Sequence, residues 1–218
     1  YFYADPAEMF AGEVEPPGIF LNAPAVLERQ LTAFCFDRWV ATQGEAVDLP
    51  TQLRSVFSHL DEKGSAHFPF NFIEFVKGQE PALLREFQEM FAGTINQETA
   101  DHLRRYLVGS DAGKAGLRWN VLEAFRSERK QRDSLSAKAR ALRVEIKRLQ
   151  ELEAKSKDHA EELDQLDREK DALLSLVAEI NRRHTLEFLT ATGLLPNYAF
   201  PEVAVSLKSV IWRKRKVL

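Results

Sequence analysis

Histidine, cysteine and carboxylate side chains are the groups of this sequence that could bind a metal ion or act as a nucleophile. None of the five histidines has a His, Cys or carboxylate partner at a recognised zinc-ligand spacing, and His59 and His67 are the nearest pair. The lone cysteine, Cys35, stands among bulky apolar residues of a predicted helix, which indicates an inert buried thiol. We therefore predict no catalytic residue and no metal site in this chain.

The glycine-rich stretch at 109–116 is the one candidate for a loop that binds nucleotide phosphates. It holds three glycines and a lysine, but it lacks the GxxxxGK[ST] order and no apolar strand precedes it. The GxSxG, HExxH and GxGxxG patterns are absent as well. We therefore predict no cofactor, and we interpret this stretch as a joint between two parts of the fold.

Clusters of Lys and Arg are the remaining candidates, and the chemistry that they would serve is binding to nucleic-acid phosphates. One cluster forms where residues 126–132 and 179–185 would lie alongside each other if the chain between them folds back. The other is a basic block that follows a predicted strand near the end of the sequence. The alternative interpretation is a solvated helix face and a solubilising strand end. The predicted nucleic-acid-binding residues are Arg126, Arg129, Lys130, Arg182, Arg183, Arg213, Lys214, Arg215 and Lys216.

The element that would position the first cluster is a stretch from Leu117 to Thr192 without any Gly or Pro. Both residue types disrupt helices, so the stretch predicts very long helical structure. Two apolar seams recur at spacings of three and four residues, which is the pattern of a coiled coil. The first seam consists of Leu135, Ala139, Leu142, Ile146 and Leu149, and the second of Leu163, Leu166, Leu173, Val177 and Ile180, with Lys170 at one further seam position.

The charges of the two seam-bearing segments are opposite. Residues 126–148 hold nine Lys/Arg and three Asp/Glu, whereas residues 151–171 hold four Lys/Arg and nine Asp/Glu. Opposite charges favour two antiparallel helices that pair along their flanks, with a turn near 154–159 where the apolar stripe is missing. We therefore expect a self-neutralised coiled-coil hairpin over 117–192. One continuous helix that seeks a partner chain is the alternative.

The flanking segments predict a compact helical body and a short return to it. Residues 1–116 combine an extended, proline-containing start with several capped helices, and the fifteen phenylalanines of the chain indicate a Phe-rich core. Residues 193–218 predict an irregular segment followed by a β-strand, because Val203, Val205 and Leu207 alternate with less apolar residues. The fold class is thus mainly α, with a helical body, a long antiparallel coiled-coil hairpin and a short C-terminal β segment. No apolar run is long enough to predict a transmembrane helix.

Two stretches of the sequence resemble a known family. Residues 1–40, which begin YFYADPAEMF and contain EPPGIFLNAP, are similar to the segment after the second RecA-like domain of large bacterial DEAD/DEAH-box (superfamily-two) helicases. Residues 184–201, HTLEFLTATGLLPNYAFP, and the following VSLKSVIWRKR resemble the part that leads toward their C-terminal domain of uncharacterised function. Together these stretches cover about 70 residues, and the predicted hairpin lies outside them.

The resemblance implies an internal accessory fragment of an ATP-dependent DNA helicase or translocase of the bacterial cytoplasm. The chain contains no Walker A motif, no DExx box, no arginine-finger segment and no cysteine cluster, so no catalytic residue of that family can be assigned here. We expect the fragment to act with the missing motor domains of its parent chain and to contribute contacts to DNA or a partner protein. The alternative is a coiled-coil module for protein–protein interaction with no nucleic-acid role. Neither interpretation involves a membrane.

Overall fold

Most of the chain is helical. The computed structural model describes residues 22–44, 47–61, 66–91, 93–109, 114–151 and 157–197, which form seven α-helices and no β-strand. The prediction of a mainly helical fold is therefore confirmed. The predicted strand at 203–207 and the basic block at 213–216 lie outside the described residues. The helices are α1 (Pro24–Gln43), α2 (Leu53–His59), α3 (Phe70–Glu89), α4 (Gln97–Val108), α5 (Leu117–Glu151), α6 (Lys157–Arg182) and α7 (Thr185–Ala191).

A cluster of aromatic rings lies at the centre of the body, which is the part of the molecule built from α1 to α4 and α7. Trp39 is fully buried, and its ring centroid lies 5.7 Å from those of both Phe68 and Phe72. Phe125 of α5 lies edge-on to Phe68 at 5.8 Å and contacts Phe188 of α7 at 5.1 Å. Burial of each such side chain stabilises the fold by roughly 1.5–3 kcal/mol. The first turns of α5 are therefore part of the same core.

Helix α3 continues through Pro81, which lies within its span of Phe70–Glu89. The proline has no N–H and costs about 3 kcal/mol within a helix. Val76 before it and Leu84 and Phe87 after it are nevertheless all buried in one core. Because the buried side chains on both sides belong to one apolar face, their packing outweighs the local cost.

The starts of α1 and α4 are tied together by asparagine side chains. The Asn22 Oδ1 accepts a hydrogen bond from the Asn96 N–H at 2.9 Å. Asn96 in turn caps α4, since its Oδ1 accepts from the Thr99 N–H at 2.8 Å. Helix α1 has no side-chain cap and begins at Pro24, whose missing N–H leaves one fewer unpaired donor at the helix start.

Helices α5 and α6, which we call the arm, pack against each other. Arg183 contacts Glu128 at the end nearest the body, called the base, while His159 Nε2 lies 3.0 Å from the Leu149 carbonyl at the far end. At about 1.5 Å per residue, the 35 residues of α5 span roughly 50 Å. Ala139 and Ile146 are buried between the two helices, outside the apolar cluster of the body.

Helix α6 ends at Arg182, well before Thr192, the residue to which the sequence pattern extends it. The next two residues leave the helical path and α7 begins at Thr185. No helix among the described residues has both the length and the apolar character needed to cross a bilayer.

Truncation of Phe125 should destabilise the whole fold, because this side chain joins the base of α5 to the body and to α7. We expect Phe125→Ala to lower the free energy of unfolding by about 3–5 kcal/mol in urea denaturation followed by circular dichroism. The matched control is Val144→Ala, which removes an α5 side chain that is 69% exposed and should change stability by less than about 0.5 kcal/mol. Equal effects of the two substitutions would contradict the packing described.

Candidate functional site

The break after α6 fixes the arm to the body. Residues 183–185 run antiparallel to residues 50–53 just before α2, in a short β-like contact between Gln52 and His184. The Leu53 N–H donates to the Arg183 carbonyl at 3.1 Å, and the Thr185 N–H donates to the Thr51 carbonyl at 2.9 Å. The buried Thr185 hydroxyl adds a third hydrogen bond, to the Pro50 carbonyl. These three hydrogen bonds give partners to six backbone or side-chain groups that would otherwise lose water at this junction.

Arg129, a predicted phosphate ligand, is bound to a carboxylate of the body. Its two terminal nitrogens donate to the two oxygens of Asp61 at 2.8 Å each, in the paired geometry that favours an Arg–carboxylate contact. The hydrogen bonds from Arg129 lower the pKa of Asp61, and the charge of the nearby Arg126 acts in the same direction. The Arg129 side chain is only about one-fifth exposed. This guanidinium therefore links the arm to the end of α2.

Arg183, also a predicted phosphate ligand, forms an ion pair with Glu128 at the base of the arm. Its Nη1 donates to Glu128 at 2.9 Å, and the Glu128 side chain is 14% exposed. Arg132 lies beside this pair in sequence on α5, with its guanidinium 5.2 Å from the centre of the Phe57 ring and 2.6 Å from Asp133. A layer of charged side chains thus occupies seam positions of α5 between the body core and the apolar part of the arm.

Two buried polar atoms of the base have no hydrogen-bond partner among the described residues. They are Nε of Arg132 and Oδ1 of Asn181. A buried donor or acceptor without a partner costs about 1–3 kcal/mol. The charged layer is therefore held in place by its neighbours at some cost to stability.

The other predicted phosphate ligands of the base are exposed. Arg126 and Lys130 have no hydrogen bond or ion pair within 4 Å of any residue that the structure describes. Arg182 donates from Nε to the Ala178 carbonyl of its own helix at 3.2 Å, which leaves its terminal nitrogens outward. The predicted cluster is thus divided into two buried or half-buried ion-paired arginines and three exposed cations.

In the outer arm, the described ion pairs join residues of one helix, whereas the sequence counts suggest pairing across the arm. Two carboxylates of α6 pair with cations of α6: Asp164 with Arg168 at 2.5 Å, and Asp167 with Lys170. On α5, Arg148 pairs with Glu145 of the same helix. The spacing of these partners by three or four residues was visible in the sequence and signals such pairs.

Several cations of α5 farther from the body remain without partners. Lys138, Arg140 and Arg143 are exposed, and no described carboxylate lies within 4 Å of any of them. Sequence reasoning placed its candidate ligands at the base and missed these three. The sequence could have indicated them, because none of the three has an Asp or Glu three or four residues away with which it could pair on α5.

Lys170 occupies a seam position of α6 and is paired on its own helix. Its Nζ lies 2.5 Å from Asp167 and 3.4 Å from Asp171, and hydrogen bonding to Asp167 raises its pKa. The two end contacts of the arm place Lys170 level with Ala139, which is 3% exposed. A long side chain on one helix thus lies beside the smallest seam residue of the other.

Groups that could do catalytic chemistry are held in structural contacts elsewhere. Burial raises the pKa of the Cys35 thiol to about 12, so this side chain stays protonated at neutral pH. His67 lies 2.9 Å from Asp48 and its ring stacks on that of His59. Among the described residues no group of three or more His, Cys, Asp or Glu side chains is placed to hold a metal ion.

Two surface cavities border the joint between α1, α4 and α5. One of about 420 Å³ and one of about 490 Å³ meet at Glu28 and Tyr106. Glu28 is bound to His102 at 2.7 Å, and the Tyr106 hydroxyl lies 2.8 Å from Thr32 Oγ1. Burial raises the pKa of Tyr106. The two residues shared by these cavities, Glu28 and Tyr106, are therefore engaged in contacts within the body, which is the arrangement of a structural contact.

The functional interpretation of this chain rests mainly on its own geometry, because comparison with known proteins gave no match. No family model, no curated protein and no solved structure matches this chain. The helicase resemblance of residues 1–40 and 184–201 therefore stays a prediction.

The ion pair of Asp61 should make stability depend on pH in acid. Because Arg129 holds the Asp61 pKa below its unfolded value near 3.9, the pair stabilises the fold fully above about pH 5. That stabilisation is lost as the pH falls through the lower, folded pKa. We expect the wild type to have a higher urea midpoint than Asp61→Asn at pH 7 and the difference to shrink below about pH 4. Asp37→Asn, at an exposed carboxylate of α1, is the control, and a pH-independent difference for Asp61→Asn would contradict the assignment.

The Glu128–Arg183 pair can be tested by a double-mutant cycle. Glu128→Ala leaves a half-buried guanidinium unpaired, and we expect it to lower the free energy of unfolding by about 1–3 kcal/mol. Arg183→Ala in the Glu128→Ala background should cost less than Arg183→Ala alone, because the partner is already gone. Strictly additive effects in urea denaturation would show that the two side chains do not interact.

Proposed function

We propose that this chain is a non-catalytic accessory region of an ATP-dependent DNA helicase or translocase, in which the body holds the arm against nucleic acid or a partner protein. The proposal rests on the difference between the base of the arm, which is joined to the body, and its outer part, which is not. Its base is joined to the body by the Arg129–Asp61 pair and by the hydrogen bonds of residues 183–185, whereas its outer part buries apolar side chains only against itself. A long, anchored and outwardly charged element is suited to making contacts at a distance.

We also propose that the arm is an antiparallel coiled-coil hairpin and that a short β segment follows α7. The end contacts of the arm and the buried or half-buried state of its seam residues support the hairpin. The alternating Val203, Val205 and Leu207 support the β segment.

The nucleic-acid part of the proposal is supported by the charge of α5. Between residues 126 and 148 this helix has nine cations and three carboxylates, and Glu128 and Asp133 are already paired. When cations of such a surface neutralise phosphates, the counterions condensed on the nucleic acid are released, and this release favours binding. The helicase part is supported by the resemblance of residues 1–40 and 184–201, which implies that ATP hydrolysis belongs to other domains of the cytoplasmic parent protein.

A coiled-coil module that binds only protein is the second candidate. It is favoured by Leu174 and Leu176 of α6, which are 47% and 46% exposed at mid-arm although both are large and apolar. Such side chains would be buried if a further helix packed on α6. On this alternative the cations of α5 contribute only to solubility.

Titration of the purified chain into fluorescein-labelled duplex DNA, read by fluorescence anisotropy, tests the proposal. We expect binding that weakens steeply as KCl is raised from about 50 to 200 mM, because each phosphate contact releases counterions. A protein with no affinity for duplex, single-stranded DNA or RNA at low salt would contradict the nucleic-acid role. In that case sedimentation of Leu174→Glu, compared with the wild type, tests the protein-binding alternative.

A further inference from the structure

We propose that the nucleic-acid contacts of this chain are made by one exposed face of α5 and that their target is the phosphate backbone of a duplex. The inference rests on the proposed nucleic-acid function and assigns it to particular residues. We call this face the α5 ridge, and it consists of Arg126, Lys130, Arg140, Arg143 and Lys147.

The ridge lies on the side of α5 that the seam leaves free. With 3.6 residues per turn, Arg126, Arg140 and Lys147 lie within about 60° of one another around the helix, and Lys130 lies about 40° to the other side of Arg126. The seam, represented by Ala139 and Ile146, is turned toward α6 and buried. All five ridge side chains are exposed. A partner can therefore reach them without disturbing the contact between the two helices.

The cations of the ridge are mostly available for a partner. Lys130, Arg140 and Arg143 have no ion pair with any residue in the described ranges. Lys147 has a loose contact of 3.9 Å with Glu151, in which both side chains are largely exposed. Exposed pairs of this kind contribute little and are readily exchanged for a phosphate. Asp133, the one carboxylate along the ridge line, is bound to Arg132 at 2.6 Å.

Part of the negative charge of α6 is already neutralised by ion pairs within that helix. Asp164 is paired with Arg168, and Asp167 with Lys170, on α6 itself. Because α6 lies across the seam from the ridge, its negative charge is directed mainly to the opposite side of the arm. The arm thus has a basic side and an acidic side, and the basic side is the one that a polyanion can approach.

The length and composition of the ridge favour a duplex over a single strand. From Arg126 to Lys147 the helix rises by roughly 30 Å, which is close to one turn of B-form DNA at about 34 Å. The arm contains no Phe, Tyr or Trp between Gln131 and Arg182, so no ring is available to stack on an unpaired base. A straight row of cations without aromatic residues matches regularly spaced phosphates and gives binding without sequence preference.

Neutralisation of the distal ridge tests the assignment. The variant Arg140→Gln/Arg143→Gln/Lys147→Gln removes three ridge charges while keeping good helix formers. The matched control, Arg85→Gln/Arg104→Gln/Arg168→Gln, removes three exposed charges from the body and from α6. We expect the ridge variant to bind a labelled duplex of about 24 base pairs roughly 100-fold more weakly near 0.1 M KCl. The slope of log K against log salt should flatten by about 3, while the control stays within about 3-fold of wild type.

Each result has a definite meaning when urea midpoints confirm that both variants are folded. A ridge variant that binds the duplex as the control does overturns the ridge assignment and leaves the nucleic-acid function standing. A wild type that binds no nucleic acid overturns the proposed function itself. Tighter binding of a single strand than of the duplex overturns the choice of target. Binding of polyglutamate as tight as that of the duplex, with the same loss in the ridge variant, identifies an acidic protein as the partner and overturns the nucleic-acid assignment.

Discussion

The antiparallel hydrogen bonds between residues 183–185 and residues 50–53 are the constraint on which the arrangement of the molecule depends. They lie between the last residue of α6 and the first turn of α7, and they hold α2 against both helices of the arm. Phe125 and Phe188 can stack on each other only because the chain turns at this point. Local backbone pairing of a few residues thus determines where a helix pair of roughly 50 Å meets the body.

Which ion pairs form in the arm depends more on the spacing of two residues along one helix than on the total charge of each helix. The two helices of the arm have opposite formal charge, yet in the described residues the ion pairs of the outer arm join residues of one helix, most of them three or four positions apart. Partners on the same helix are brought together by its geometry, whereas partners on facing helices must order two long side chains across a seam. The cross-helix pair that does form, Glu128 with Arg183, lies at the base, where the surrounding side chains exclude water.

The helical class and the seam of the arm were predictable because they depend on local composition and spacing. Long helices follow from the absence of Gly and Pro, and the seam positions follow from a repeat that any reader of the sequence can count. The path through Pro81 was not predictable, since it depends on a core that buries residues on both sides of the proline. The partner of Arg129 was not predictable either, because Asp61 is 68 positions away and only the fold brings it near. Charge patterns therefore indicated the candidate site, but the choice between paired and free cations required tertiary structure.

The placement of Lys170 level with Ala139 determines more than local packing. If α6 slid along α5 by one heptad, Lys170 would come level with Arg132 in one direction and with Ile146 in the other. The first shift would place two cations together at the seam, and the second would force a long side chain against a bulky one. A lysine that contributes little apolar burial thus selects a single alignment of the two helices, and the positions of all residues on the outer face of α5 are set by that choice.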